Sequence, residues 1–408
     1  MAVQSVAVRC CVVGGGPAGM MLGLLLARAS VDVLVLEKHA DFLRDFRGDT
    51  IHPSTLEIVR ELGLLDAFLA LPHQEVHELT GEVYGGSVTL ADFRHLRTHC
   101  PFIALMPQWD FLNFLSAQAR RFPRFALRMQ AEVTDLIETA AGVCGVKVLT
   151  QEGLLDVHAD LVVAADGRHS IVRRRAELAI EELGVPIDVL WFRLPRRPSD
   201  RAQTGGYVQP GSFFVMINRD TYWQCGFVIP KGSFEAIRGE DIAAFRARIV
   251  RAAPFTAAVV DALENWDMVK LLTVQVDHLR RWFKPGLLCI GDAAHAMSPV
   301  GGVGINLAIQ DAVAAANILA RPLRSGPASV ADLEAVQSRR EWPARVTQRV
   351  QVAIQDRVVA RVLDDKPSRA PRLPFILRLL RWLPVLRRIP ARAIGVGVRP
   401  EHVAATGH

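Results

Sequence analysis

VVGGGPAGMMLGLLLARASVDVLVLEK, residues 12–38, is the stretch whose reading decides the fold. The apolar run VAVRCCVV over 6–13 predicts a buried strand, residues 17–29 a helix, and VDVLVL over 31–36 a second buried strand ending at Glu37. Between the first strand and the helix stand Gly14, Gly16 and Gly19 in G-x-G-x-x-G spacing. This is a βαβ opening, and a parallel sheet should follow it. Missing Cβ atoms let a backbone approach a pyrophosphate, and a helix start at Pro17, Ala18 and Gly19 presents unpaired N–H groups to it. Glu37, followed by Lys38, is placed to accept hydrogen bonds from ribose hydroxyls. Dinucleotide binding follows, with the choice between FAD and NAD left open.

Working outward, the chain has 408 residues, half of them hydrophobic, which predicts a globular protein of roughly two or three packed domains. Its net charge of +6 comes from basic residues spread along the sequence, so nucleic acid is not an expected partner. Six cysteines show neither CxxC nor Cys/His ligand spacing, which points to a reducing cytoplasm and no metal site. The first apolar run is broken by three glycines and a proline, unlike a signal peptide or a membrane span. A soluble monomer or homodimer is expected.

Further along, Pro53 to Leu71 predicts a helix with a capping box starting at Ser54, 83–90 a strand, and the segment after Pro107 a second amphipathic helix. Residues 126–150 alternate like an antiparallel pair turning near Gly142, and HADLVVAADG, 158–167, is another apolar strand stopped by Asp-Gly. From 186 to 229 short strands rich in aromatic residues predict a second, antiparallel sheet, followed by a helical segment (241–264) and a strand (268–276). No low-complexity linker separates these regions, so the fold class is α/β. A Rossmann-like dinucleotide-binding domain (1–75, 100–180 and 277–325) is interleaved with a mixed or antiparallel substrate sheet (76–99 and 181–276), and 326–408 form a helical C-terminal segment.

Two further motifs make the choice of cofactor. VVAADGRHSIVRR (162–174) and LLCIGDAAHAMSPVGGVGINLAIQD (287–311), taken with the glycine fingerprint, resemble the three signatures of the flavoprotein aromatic hydroxylases of the para-hydroxybenzoate hydroxylase type. The resemblance runs from about residue 6 to residue 320. It implies FAD as cofactor and NADPH or NADH as transient reductant. It also implies dioxygen addition at flavin C4a and transfer of an oxygen from the C4a-hydroperoxyflavin to an electron-rich ring.

The physical sense of the residues agrees. Asp292, after Gly291 at a strand's end, suits a ribityl hydroxyl. A loop bearing Pro299, Gly301 and Gly302, then a helix start at Gly304, Ile305 and Asn306, suits an isoalloxazine ring, whose anionic reduced form gains from the partial positive charge there. By resemblance, Arg47, Gln108, Val133 and Asp166 join the FAD contacts, with Asp166 also holding its own turn. His52 and His295 read as structural histidines, and no nucleophile constellation is present.

For the substrate, a small aromatic, the wall candidates are Trp191, Arg193, Phe213, Met216, Asn218, Trp223 and Pro299. Met216 and Asn218 stand where the benzoate hydroxylases carry a serine and an arginine for a carboxylate, which implies a neutral or polycyclic aromatic. Two other classes stay open: an FAD-dependent reductase of isoprenoid or other lipophilic compounds, and a non-catalytic flavin-binding protein. The segment 366–392 carries eight basic residues and no acids. It reads either as helices packed on the catalytic body or as a peripheral contact with lipid, without stable insertion.

Overall fold

The computed structural model describes residues 4–42, 50–200, 204–363 and 375–404. Its largest sheet has eight strands. The parallel core runs Leu287–Cys289, Gly153–Ala164, Gln4–Val13, Val33–Leu36 and Phe125–Arg128. The hairpin Glu132–Thr139/Gly142–Thr150 pairs antiparallel onto Gly153–Ala164. Towards their C-terminal ends the central strands are buried on both faces, and there, at Cys10–Val13, Val33–Leu36 and Leu161–Ala164, they are continuous apolar runs, as parallel strands covered by helices require.

Register decides what the sheet presents. Val13 lies opposite both Ala164 and Leu36, and Ala164 lies opposite Cys289. Four parallel strands therefore end level with one another, and the chain leaves them through Gly14, Glu37, Ala165-Asp166 and Ile290-Gly291-Asp292. Ligands of doubly wound sheets bind at this edge because the loops there, and the helix N-termini they lead into, are free of the ladder.

Helix Pro17–Arg28 covers the sheet with ten consecutive buried residues, Ala18 to Ala27. Met20, Met21 and Leu22 are wholly inaccessible, each burial stabilising by roughly 1.5–3 kcal/mol. Helix Gly304–Ser325 packs beside it. This second helix has the length and apolarity of a membrane span, but it is mostly buried inside the fold, where its apolar face is already satisfied.

The second sheet has seven strands in the order Lys270–Leu272, Ile187–Pro195, Tyr222–Pro230, Ser212–Asn218, Gly205–Gln209, Glu78–Val83, Gly86–Asp92. All its pairs are antiparallel except Gly205–Gln209 with Glu78–Val83. Helix Ile242–Ala252 covers one face through Phe245 and Ile249, which join Phe192, Phe214, Trp223 and Phe227 in a closed aromatic core. Helix Val330–Ile354 opens on a capping box made by Ser329 and Asp332 and runs on through Gln355–Val359 and Ala360–Leu363 to the other face.

Local expectations differ from the structure in several places: the helical segment expected over 241–264 is helix Ile242–Ala252 followed by 3-10 turns, and the strand expected over 268–276 is Lys270–Leu272. The helix expected from Pro53 to Leu71 is two, Pro53–Glu61 and Leu65–Leu69, because Gly63 takes a φ of 71° that ends the first. Its N-terminus has no side-chain cap: Pro53 sits at the first turn, where no N–H needs one, and His52 precedes it. The strand expected over 83–90 is the two arms of a hairpin, since Tyr84 and Gly85 both adopt positive φ between Glu78–Val83 and Gly86–Asp92.

Candidate active site

The level strand ends bring the three motifs into contact. A Cβ on Gly14, whose φ is 106°, would lie 2.4 Å from Ala165 O and 2.8 Å from Asp166 Cα, so the fingerprint turn touches the Asp-Gly motif through backbone. A Cβ on Gly19 would lie 2.0 Å from Gly14 O, which seats the helix on the turn. Gly16 differs: among the described residues nothing lies within 4 Å of where its Cβ would be. Gly291, with a φ of 58°, is wedged between Ala18 of one helix and Ala308 of the other, and this brings Asp292 beside the fingerprint.

The carboxylates around this crevice are held from behind. Glu37 accepts from Gly15 N and His39 N, each at 3.0 Å, and Lys38 beside it is exposed. Asp166 Oδ2 accepts from Ile171 N at 2.9 Å, while its buried Oδ1 has no hydrogen-bond partner among the described residues. Burial raises the Asp166 carboxyl above its ordinary value against the bonds from Ser170 and the neighbouring amides. Arg168 Nη2 reaches to 3.6 Å from Asp292 Oδ2, joining the Asp-Gly and Gly-Asp motifs across the opening. Gln108 starts helix Gln108–Ala119, half-buried, and Val133 is buried in the strand beginning beside Glu37.

Helix Gly304–Ser325 begins at the far side. Its first bond runs from Leu307 N to Val303 O, which leaves the amides of Gly304, Ile305 and Asn306 without an intrahelical acceptor. These residues fit a flavin dinucleotide: an open glycine for the pyrophosphate, an orphaned buried carboxylate oxygen, and unpaired amides at a helix N-terminus.

The family profile for an FAD binding domain matches residues 7–350. 6-Methylpretetramide 4-monooxygenase of Streptomyces rimosus is 34% identical over 385 residues, covering 93% of this chain and 91% of that one. The chain belongs to the FAD-dependent aromatic monooxygenases. Among solved structures, the anhydrotetracycline hydroxylase of Streptomyces rimosus shares the fold at a TM-score of 0.74 and 22% identity, covering 99% of this chain and 78% of that one. p-Nitrophenol 4-monooxygenase of Pseudomonas putida does so at 0.72 and 20%, covering 97% and 100%. The monooxygenase therefore takes FAD, with NAD(P)H as reductant.

In this monooxygenase three glutamines hold the glycine loop. Gln348, Gln351 and Gln355 are spaced along one face of the helix that starts at Val330, and all are buried. Gln348 Nε2 donates to Asp277 O and Ala296 O, at 2.7 and 2.9 Å. Gln351 Nε2 donates to Ser298 O and Val300 O, at 3.0 and 2.8 Å, while its Oε1 accepts from Ser298 N. Gln355 Nε2 donates to Ser298 Oγ at 2.6 Å. On the opposite side Thr50 Oγ1 donates to Gly302 O at 2.9 Å, and a Cβ on Gly302 would collide with that hydroxyl at 2.6 Å. Pro299 and Gly301 lie between these anchors. Arg173 braces the two Asp motifs from below, donating to Ala293 O and Arg168 O and pairing with buried Asp277. None of these five side chains, the three glutamines, Thr50 and Arg173, was among the expected site residues.

The same anchors show which face of the seven-stranded sheet the monooxygenase turns to the loop. Trp191 and Phe213 pack with Val359 and Leu363, just beyond Gln355. Ile217 packs with Leu105, whose strand pairs with Thr50. Alternation then assigns Trp191, Arg193, Phe213, Val215 and Ile217 to the loop side, with the Arg193 guanidinium over Tyr222 at 4.9 Å.

Met216, Asn218 and Trp223, expected as substrate walls, are corrected. Met216 and Trp223 point the other way, into the aromatic core under helix Ile242–Ala252. Asn218 shares that face and accepts from Asp220 N in the hairpin turn. Asn306 is corrected in part: its side chain serves the protein, accepting from His52 N and Thr55 Oγ1 at 2.9 and 2.7 Å, which leaves its backbone amide as the group to offer a cofactor. Arg47 lies outside the described residues. Among those residues no cluster of His, Cys, Asp and Glu suits a metal ion.

Proposed function

We propose that this monooxygenase hydroxylates a flat, fused-ring aromatic lying between the glycine loop and the seven-stranded sheet. The reading is carried by one row across that sheet's loop-side face. Gly81, Gly206, Val215, Gly226 and Trp191 stand opposite one another on five adjacent strands. Three of the five lack side chains, and the Trp191 indole lies against Gly226, where a Cβ would sit 3.3 Å from the ring. A floor of such low relief offers dispersion contact to a planar ring system, bounded by Trp191 and Phe213. The 34%-identical relative named for 6-methylpretetramide supports the same class.

The cofactor supplies the oxygen-transferring chemistry. The protein binds and orients. Gly14, Gly16, Pro17, Ala18 and Gly19 would hold the pyrophosphate, Glu37 and Lys38 the ribose, Val133 and Gln108 the flanks of the dinucleotide, and Asp166 with Gly291-Asp292 the ribityl side. The amides of Gly304, Ile305 and Asn306 would meet the electron-rich edge of the ring, with Pro299, Gly301 and Gly302 against its face. All six cysteines are free, which supports a cytoplasmic setting.

The test is NAD(P)H-dependent oxygen uptake by purified holoenzyme against fused-ring polyketide phenols and single-ring phenols and benzoates. Products heavier by one oxygen, with the fused rings favoured at least tenfold in kcat/KM, are expected. Preference for a single-ring acid would remove the substrate reading, and equal turnover under argon would remove hydroxylation itself.

A further inference from the structure

The C-terminal segment leaves an apolar face uncovered. Helix Phe375–Trp382 and the turn and helix that follow, Pro384–Arg387 and Arg388–Gly395, pack on strand Gly86–Asp92 at the edge of the substrate sheet. Their inner side is used: Ala391 and Gly395 are buried, and Ile394 joins the cluster around Phe93. Their outer side is not. Phe375, Trp382, Leu383, Val385 and Ile389 are 77%, 76%, 48%, 56% and 67% exposed. Single exposed apolar residues are ordinary, but five large ones within fifteen residues call for a partner.

The charges between them say which. Arg378, Arg381, Arg388 and Arg392 are exposed and meet no carboxylate among the described residues, and the sequence has no acid from 366 to 400. A second copy docking through the same face by a twofold axis would set arginine against arginine with nothing to neutralise them. An anionic lipid surface neutralises the arginines and takes up the aromatic and aliphatic side chains at its acyl boundary. Phe375 and Trp382, seven residues apart, project from one side of their helix as interfacial anchors do.

We propose that this face docks the enzyme on anionic bilayers, with the substrate sheet's edge strand next to the lipid. The inference stands apart from the identity of the substrate.

Flotation of the FAD-loaded full chain with vesicles of phosphatidylcholine alone, or containing phosphatidylglycerol, tests it. Binding to the phosphatidylglycerol vesicles only, weakening with salt, is expected. Arg388→Gln with Arg392→Gln should weaken it about fivefold per arginine, and Trp382→Ser with Ile389→Ser should abolish it. Flavin content and melting temperature, unchanged in both variants, show that the fold is intact. Absence of flotation, or flotation indifferent to both variants, would overturn the proposal. So would a dimer in sedimentation that dissociates on Trp382→Ser and Ile389→Ser without any vesicle binding.

Discussion

His295 Nε2 lies 2.6 Å from Asp311 Oδ2, and both side chains are buried. Asp311 Oδ2 also accepts from Gly291 N at 3.0 Å, and Oδ1 accepts from Arg340 Nε at 2.9 Å. One carboxylate thus holds the Gly-Asp turn, the histidine after it and the long C-terminal helix, and Glu401 extends the network through Arg339 and Arg340. Burial raises the Asp311 carboxyl, but His295 and Arg340 together outweigh it and hold it below its ordinary 3.8. A depressed carboxyl contributes stability above its unfolded value that is lost as pH falls through its folded one. Asp311→Ala should therefore destabilise by about 3–5 kcal/mol at pH 7, since it takes from buried His295 and Arg340 Nε the carboxylate they share, and the deficit should shrink below about pH 4. Denaturant melts at the two pH values check this, and an unchanged midpoint at pH 7 would exclude the network as a support.

His52 gives a second acid-sensitive contact. It is fully buried, its Nδ1–H donates to Ile394 O at 2.8 Å, and burial lowers its pKa to about 4 from an ordinary 6.5, against the raising effect of that bond. The unfolded chain then binds the extra proton first, so stability declines as pH falls below 6.5, by about 3 kcal/mol once below 4. His52→Gln keeps a donor for Ile394 O without the titration. Its unfolding free energy should fall less steeply between pH 7 and pH 4.5 than that of the native chain; parallel curves would refute the assignment.

What the sequence made legible, and what it hid, follow from pattern physics. Where parallel strands are buried on both faces they are unbroken apolar runs, so the strands through Cys10–Val13 and Leu161–Ala164 were readable, although the first residues of the run over 6–13 are exposed, and the glycines at 14, 16 and 19 announced their own spacing. Alternation along Ser212–Asn218 shows two faces, but both are half apolar, and only tertiary packing tells which one meets the loop. Met216 and Trp223 were misplaced for that reason. Gln348, Gln351 and Gln355 lie on one helical face, yet a polar face buried against backbone has the same pattern as a solvated one. Their role appears only with the carbonyls they serve.

Gln351→Leu keeps the volume and removes three hydrogen bonds to Ser298 and Val300. Each stranded buried group costs about 1–3 kcal/mol, and a loop shifted by about 1 Å loses up to about a hundredfold in rate. The variant should retain FAD, with kcat reduced at least tenfold and a larger share of NAD(P)H consumption released as hydrogen peroxide. A change in stability alone, with kcat and coupling preserved, would mean the glutamine supports the fold and not the loop's alignment.

Gly14 and Gly16 separate folding from cofactor binding. Gly14→Ala places a Cβ 2.4 Å from Ala165 O at a φ of 106°, so it should lower the melting temperature of the FAD-free protein. Gly16 has extended backbone and open space around it, so Gly16→Ala should leave the FAD-free melt unchanged while weakening FAD binding at least tenfold. Equal FAD affinity in Gly16→Ala, read by flavin fluorescence titration, would remove this glycine from the pyrophosphate site.

Gly206 and Trp223 test the two faces of the substrate sheet against each other. Among the described residues a Cβ on Gly206 would meet only Phe213 Cε2 at 3.5 Å, an ordinary contact, and Gly206 has no positive φ, so a branched strand residue is accommodated there. Gly206→Val raises the floor of the row without disturbing the strand, and the KM for a fused-ring substrate should rise at least tenfold while flavin content and melting temperature hold. Trp223→Phe alters the opposite face, where the ring contacts Phe255 inside the aromatic core, and should lower stability by about 1–3 kcal/mol with KM unchanged. The opposite result, with KM answering to Trp223 and indifferent to Gly206, would place the substrate on the face now assigned to the core. It would break the link drawn through Gln355 and Thr50 between the glycine loop and the sheet.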